Sequence, residues 1–194
     1  MVSTDQVKEL RAQTGISVMQ CKKALEEADG DMEKALVILR KASSKAADKK
    51  SDRDLGAGVI SSYIHGEGSV GTMVELSCET DFVSKNEEFR ALAYEIAMHI
   101  AASNPEYITR TEVQDADLEK AKEVFMKEVE DKPEDLQEKI LSGKLDAYFN
   151  EKILLEQPYI KDDSKTIGDL IKEAVQKFGE RTEIRRFARF SISE

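Results

Sequence analysis

Two cysteines, two histidines and 39 carboxylates are the side chains of this 194-residue chain best suited to nucleophilic, ligating or acid–base work. Their spacing argues against most such uses. His65 and His99 have no cysteine or histidine at the short intervals a zinc site requires, so no metal is expected. His65 falls at a strand end and His99 on a long helix, and each is expected to be structural or exposed. Cys21 and Cys78 lie in apolar-periodic segments and read as buried thiols of a reducing compartment, not as a disulfide framework. Glu79 and Asp81 are close enough for paired carboxylate chemistry, but carboxylates are so abundant here that the pairing carries little weight. Gly66-Glu67-Gly68-Ser69-Val70-Gly71 matches G-x-G-x-x-G. A dinucleotide site would need a helix to start there, with its free amides facing the pyrophosphate. An alternating strand follows instead, so the glycines are assigned to a hairpin turn. No catalytic constellation emerges, and no cofactor is expected.

The stretch with the least ordinary chemistry runs from Glu75 to Phe89. Met73 to Cys78 alternates as a half-buried strand, with Val74, Leu76 and Cys78 on one face. From Phe89 the period changes, and Phe89, Leu92, Ala93, Ile96, Ala97 and Ile100 form one helical stripe. Ser84 followed by Glu87 reads as a capping box, which predicts a helix from about Ser84. Glu79, Thr80, Asp81, Phe82 and Val83 are left to make a tight strand-to-helix corner. Phe and Val are poor turn residues and prefer the core. Two readings follow: Phe82 and Val83 fold back under the helix, or an acidic and aromatic tip is held out for a partner. Side-chain chemistry alone favours the first.

Composition sets the class. Hydrophobic residues make up 40% and charged residues 35%, which suits a helix-rich globular chain. The formal net charge of -10 is spread along the sequence, which argues against a broad nucleic-acid surface. No apolar run approaches a membrane span, and Met-Val-Ser-Thr-Asp lacks the layout of a signal peptide, so a cytoplasmic location is expected.

The elements that position the corner follow from caps and periodicity. Residues 1–40 predict three short helices sharing one core. Ser3 or Thr4 caps the first, with Val7 and Leu10 inward and Gly15 at its end. Ser17 with Gln20 caps the second, with Ile16 and Cys21 as a hydrophobic staple. Gly30 stops it, and Asp31 caps a third helix carrying Met32, Ala35, Leu36 and Leu39. Residues 41–54 are small and charged without a stripe and read as a linker, helical at its start at most. Residues 55–194 form the main domain. Val59 to His65 alternates as a strand, and Asn104-Pro105 breaks the helix that starts after the corner. Residues 117–155 are helical in pattern, with a turn at Asp131-Lys132-Pro133 and a second break at Gly143. Thr166 with Asp169 starts a last helix through Ile167, Leu170, Ile171, Ala174, Val175 and Phe178, which Gly179 closes. Glu183 to Ile192 is the closing strand. The predicted class is α+β: a three-helix module, a linker, then an antiparallel sheet of about three strands packed with helices and a helical hairpin.

Cys-Glu-Thr-Asp-Phe-Val-Ser-Lys-Asn-Glu-Glu-Phe (78–89) resembles the signature of the elongation factor Ts family, the nucleotide-exchange factors of elongation factor Tu. Leu-Arg-x-x-Thr-Gly (10–15), Cys-Lys-Lys-Ala-Leu (21–25) and Gly-Asp-x-Glu-Lys-Ala (30–35) resemble that family's N-terminal module, a three-helix bundle of the ubiquitin-associated type. Gln20 stands where the family usually has Asp. Residues 132–140 and 154–159 resemble its helical hairpin, and Gly179 to Phe190 its C-terminal signature. The likeness covers nearly the whole chain.

The resemblance implies a translation elongation factor that binds the nucleotide-free GTPase and promotes GDP release, with no catalytic chemistry of its own. Thr80, Asp81, Phe82 and Val83 match the element that presses on the GTPase domain and disturbs its magnesium region, with Phe82 as wedge and Asp81 as polar partner. Arg11, Val18 and Met19 match the module's contact positions. Only one copy of the strand-strand-helix core is visible, as in short family members, so a homodimer is expected, with the helices of residues 117–155 as candidates for the contact. Two rivals stay in view. An adaptor built on the ubiquitin-associated module leaves residues 78–89 without a role. An RNA-binding translation factor needs a basic face with exposed aromatics; Arg185, Arg186 and Arg189 are the residues for it, but salt bridges are their expected use.

Overall fold

The computed structural model describes residues 2–130 and 133–192 and is α+β. Three helices come first: α1 (Thr4–Thr14), α2 (Val18–Glu27) and α3 (Met32–Asp48). Their starts are set by side chains that satisfy otherwise free amides. Ser3 and Gln6 cap α1 reciprocally, at 3.1 Å and 3.0 Å. Gly15 closes α1 in the left-handed conformation (φ 66°). At α2 the reciprocal box is only half made: Ser17 accepts from the Gln20 amide, while the Gln20 side chain accepts from the Ser17 hydroxyl. Asp31 accepts from the Lys34 amide at 3.0 Å and starts α3. Leu10, Ile16, Cys21, Leu25, Ala35 and Leu39 bury into a core of the module's own.

The segment 41–54 is helical over its start. Its first eight residues continue α3 to Asp48 and pack against α8 (Ile167–Phe178). Ser43 is buried there, its hydroxyl meeting the Gln176 carboxamide. Small residues let two helices approach closely, so this face carries no apolar stripe to find in the sequence.

The sheet consists of β1 (Ala57–His65), β2 (Val70–Cys78) and β5 (Thr182–Ser191), antiparallel in the order β1-β2-β5. The glycine-rich segment makes a 3₁₀ turn between β1 and β2, as expected for a hairpin. Val74, Leu76, Cys78 and Ile184 face inward, against α5 (Glu87–Ser103) and α8. The predicted α5 stripe is buried: Phe89, Ala93, Ile96, Ala97 and Ile100 are sealed, and Leu92 is half-buried. Thr166 and Asp169 form the expected capping box of α8. The other face of the sheet is open, with Ile60, Ile64, Met73 and Phe190 exposed. A bulge between Glu75 and Leu76 sets Arg185 and Arg186 side by side.

Asn104 ends α5 with φ 45°, just before Pro105. Helices α6 (Asp115–Val129) and α7 (Glu134–Asn150) form the hairpin. Asp131 and Lys132 of the expected turn lie outside the described residues. The expected break at Gly143 is absent: α7 runs through it, since one glycine costs only about 1 kcal/mol within a helix. Tyr148 and Phe149 on α7, with Phe125 on α6, pack edge to face. A short hairpin of β3 (Pro158–Tyr159) and β4 (Asp162–Thr166) then leads to α8; it had no signal in the sequence.

Candidate functional site

Residues 78–90 are built as two helical starts in succession, which corrects the predicted single start at Ser84. After β2, Thr80 is extended and begins a one-turn helix, α4 (Asp81–Ser84). Ser84 is buried, and its hydroxyl donates back to the Asp81 carbonyl at 3.2 Å. The cap of α5 is Asn86, whose side chain accepts from the Glu88 amide at 2.8 Å. Arg90 reaches back to the Ser84 carbonyl at 3.2 Å and ties the two helices together.

That extra turn separates Phe82 from Val83. Successive helical residues point about 100° apart, so Phe82 and Val83 leave the turn in different directions, with Val83 and Ser84 on its buried side. Val83 is 3% exposed and packs into the cluster with Cys78 and Phe89, whereas Phe82 is 82% exposed. Val83 thus folds back into the core as the first reading has it, and Phe82 does not. Val83 anchors the turn and has almost no surface of its own to offer a partner. Phe82 stands out alone. Beside it Asp81 pairs with Lys85 at 2.5 Å; that hydrogen bond and charge hold the carboxyl below the usual range.

The corner is fastened from behind by residues distant in sequence. Thr80 donates its amide and its hydroxyl to the two oxygens of Glu180, at 3.0 Å and 2.6 Å. Glu79 accepts from the Arg181 amide at 2.6 Å and from Arg53 at 3.2 Å. Burial works against the Glu79 charge, but the Arg181 amide and then Arg53 outweigh it and keep this carboxyl below the usual range. The Cys78 thiol donates to the Thr80 carbonyl at 3.2 Å, and burial pushes its pKa up. Sequence reasoning missed Glu180, Arg181 and Arg53. Glu180 lies 100 residues from Thr80, and no local pattern marks such a partner.

Of the positions carried over on the N-terminal module, Arg11 is exposed in the last turn of α1. Val18 and Met19 open α2 and are 49% and 77% exposed. Lys177 links this module to the corner: its side chain runs beside Gly15, between α1 and α2, and ends on Glu88 of α5 at 2.7 Å.

The remaining candidates for chemistry serve structure. His99 is fully buried; the Ile160 amide donates to Nδ1 at 3.4 Å, so Nε2–H donates to Gln157 at 2.9 Å. His65 is exposed beside the Tyr63 hydroxyl. Cys21 and Cys78 are buried free thiols. Arg186 and Arg185 flank Glu75, at 2.6 Å and 3.9 Å, and Arg189 donates to the Ala101 carbonyl, in keeping with salt-bridge and structural use. Among the described residues no group of three His, Cys, Asp or Glu is placed to hold a metal ion, and no helix is long and apolar enough to cross a membrane.

Residues 4–194 match the family described as elongation factor TS. The chain belongs to the elongation factor Ts family. It is 50% identical to elongation factor Ts of Acetivibrio thermocellus, over all of this chain and 91% of that relative. It is 47% identical to that of Thermosipho melanesiensis over the full length of both chains. With elongation factor Ts of Thermodesulfovibrio yellowstonii it shares 50% identity, over all of this chain and 97% of the other. Membership of the elongation factor Ts family makes the protein a translation elongation factor.

Proposed function

We propose that this protein promotes GDP release from elongation factor Tu by binding the nucleotide-free GTPase more tightly than the GDP-bound form. A GTPase holds GDP through phosphate-cradling backbone groups and magnesium. By linkage, a protein that prefers the empty form weakens GDP binding by the same factor as GDP weakens its own. It therefore acts as an exchange factor rather than as an enzyme with reacting groups. Phe82 is the apolar wedge and Asp81 the polar residue beside it. Thr80 and Val83 shape and anchor the turn, and Arg11, Val18 and Met19 supply a second grip. The observation that carries this reading is the 82% exposure of Phe82 on a turn whose neighbour Val83 is buried. A large aromatic held out by a turn that is itself fastened can serve as the anchor that fills a partner's pocket. Labelled GDP bound to elongation factor Tu should leave faster in the presence of catalytic amounts of the protein; an unchanged rate refutes the proposal.

Self-association belongs to the same reading. The open sheet face supports it beside the helices of residues 117–155, whose Val124, Met126 and Leu136 are exposed. Ile60, Ile64, Met73 and Phe190 are exposed on that face, and Glu75 with Arg185 and Arg186 adds both signs of charge. A second copy is the occupant such a mixed face fits.

A further inference from the structure

Thr80 occupies the N-cap of α4, where a threonine hydroxyl ordinarily accepts from an amide two or three residues on. It does not do so here. Both of its donors turn away from the helix and meet one carboxylate, Glu180, at 2.6 Å for the hydroxyl and 3.0 Å for the amide. The converse bond runs beside it, with the Glu79 carboxylate accepting the Arg181 amide at 2.6 Å. These contacts lie just past the last rung of the β2–β5 ladder, Cys78 paired with Thr182. Two side-chain carboxylates there stand in for backbone carbonyls and carry the lacing beyond the sheet. Gly179, left-handed at φ 74°, turns the chain out of α8 so that Glu180 comes next to Thr80. A carboxylate suits the task because its two oxygens take two donors at once, in charge-assisted bonds.

A helix of four residues cannot hold its own orientation. Buried Val83 fixes the far side of Phe82, and Thr80, two residues before it, is the fastening on the near side, so the direction of Phe82 depends on how Thr80 is held. We propose that Glu180 is the positioning residue of the exchange turn: its carboxylate fixes Thr80 and thereby aims Phe82 at the GTPase. This rests on the reading of Phe82 as the wedge.

The test combines release of labelled GDP from elongation factor Tu, thermal melting and a local reporter. The chain has no tryptophan, so Phe82→Trp supplies a single indole whose anisotropy reports the order of the turn. Glu180→Ala should slow GDP release on the order of tenfold, the worth of lost hydrogen bonds to a charged group. It should lower the anisotropy of the Phe82→Trp reporter and leave the melting temperature within a few degrees. Glu180→Gln, which keeps one acceptor, should restore part of the rate. In a Phe82→Ala background, Glu180→Ala should cost less than about twofold, because the side chain it aims is already gone. Unchanged release by Glu180→Ala overturns the proposal. So does an equal loss in both backgrounds, which would make Glu180 a contact rather than a positioner, or a loss matched by early melting of both Glu180 variants. Failure of the unsubstituted protein to release GDP sinks the exchange reading alone. The anisotropy then still decides on Glu180, and an unchanged value overturns its role.

Discussion

Truncation of Phe82 to alanine separates a wedge from a core residue, because the two roles load different states of the protein. Burying a whole phenylalanine side chain stabilises a fold by about 1.5–3 kcal/mol, and core Phe→Ala changes cost roughly 3–5 kcal/mol. Only about a fifth of Phe82 is covered in the free protein. Phe82→Ala should therefore cost less than about 1 kcal/mol, a fall of no more than about 2–4 °C in melting temperature for a chain of this size. The exposed remainder is what a partner can cover. A buried aromatic removes about 150–250 Å² from water; the exposed four-fifths of a mid-range area, at about 25 cal/mol per Å², comes to about 4 kcal/mol. Interface anchors commonly reach about 2 kcal/mol or more. Exchange should thus fall by on the order of thirtyfold to a thousandfold. Asp81→Ala should fall in the same direction by a smaller factor, and its solvated ion pair with Lys85 should make the change nearly neutral for the fold. The assay measures GDP release and thermal unfolding on the same preparations. A Phe82→Ala protein that melts many degrees early, yet exchanges normally while folded, refutes the reasoning.

Val83→Ala should load the fold first, losing roughly 1.5–3 kcal/mol of stability, and should slow exchange by each folded molecule less than Phe82→Ala does; calorimetry and the same release assay check this. Burial holds the His99 imidazole below its ordinary pKa, with Gln157 offsetting only part of that effect. As pH falls below about 6.5 the unfolded chain takes up the proton first, so stability should decline towards the depressed folded value. His99→Gln should lack that decline in melting curves recorded between about pH 7 and 5, and parallel curves for the two proteins would count against the buried neutral imidazole. Phe190→Lys, on the open sheet face, should shift sedimentation from dimer to monomer without lowering the melting temperature of the monomer; unsubstituted protein that stays monomeric well above micromolar concentration excludes the sheet contact.

The sequence by itself determined much of the frame. Ser3 with Gln6, Asp31, and Thr166 with Asp169 mark helix starts within three residues of themselves, and Gly15 and Gly179 mark ends. Alternation from Met73 to Cys78 and the stripe from Phe89 to Ile100 reveal the strand and helix that flank the corner. Such signals are local, because caps act over one turn and periodicity reports one buried face. Tertiary structure decided what local signals do not encode. Whether Phe82 or Val83 faces the core depended on an extra turn wedged between β2 and α5, and on which side of it the sheet lies. The reach of α3 to Asp48 depended on a close helix contact made by small residues, which leave no apolar stripe. The hold of Glu180 on Thr80 spans 100 residues and exists only because antiparallel pairing brings the end of β2 to the start of β5. A carboxylate looks the same in a sequence whether it faces water or two donors; only the packing that delivers those donors tells the cases apart.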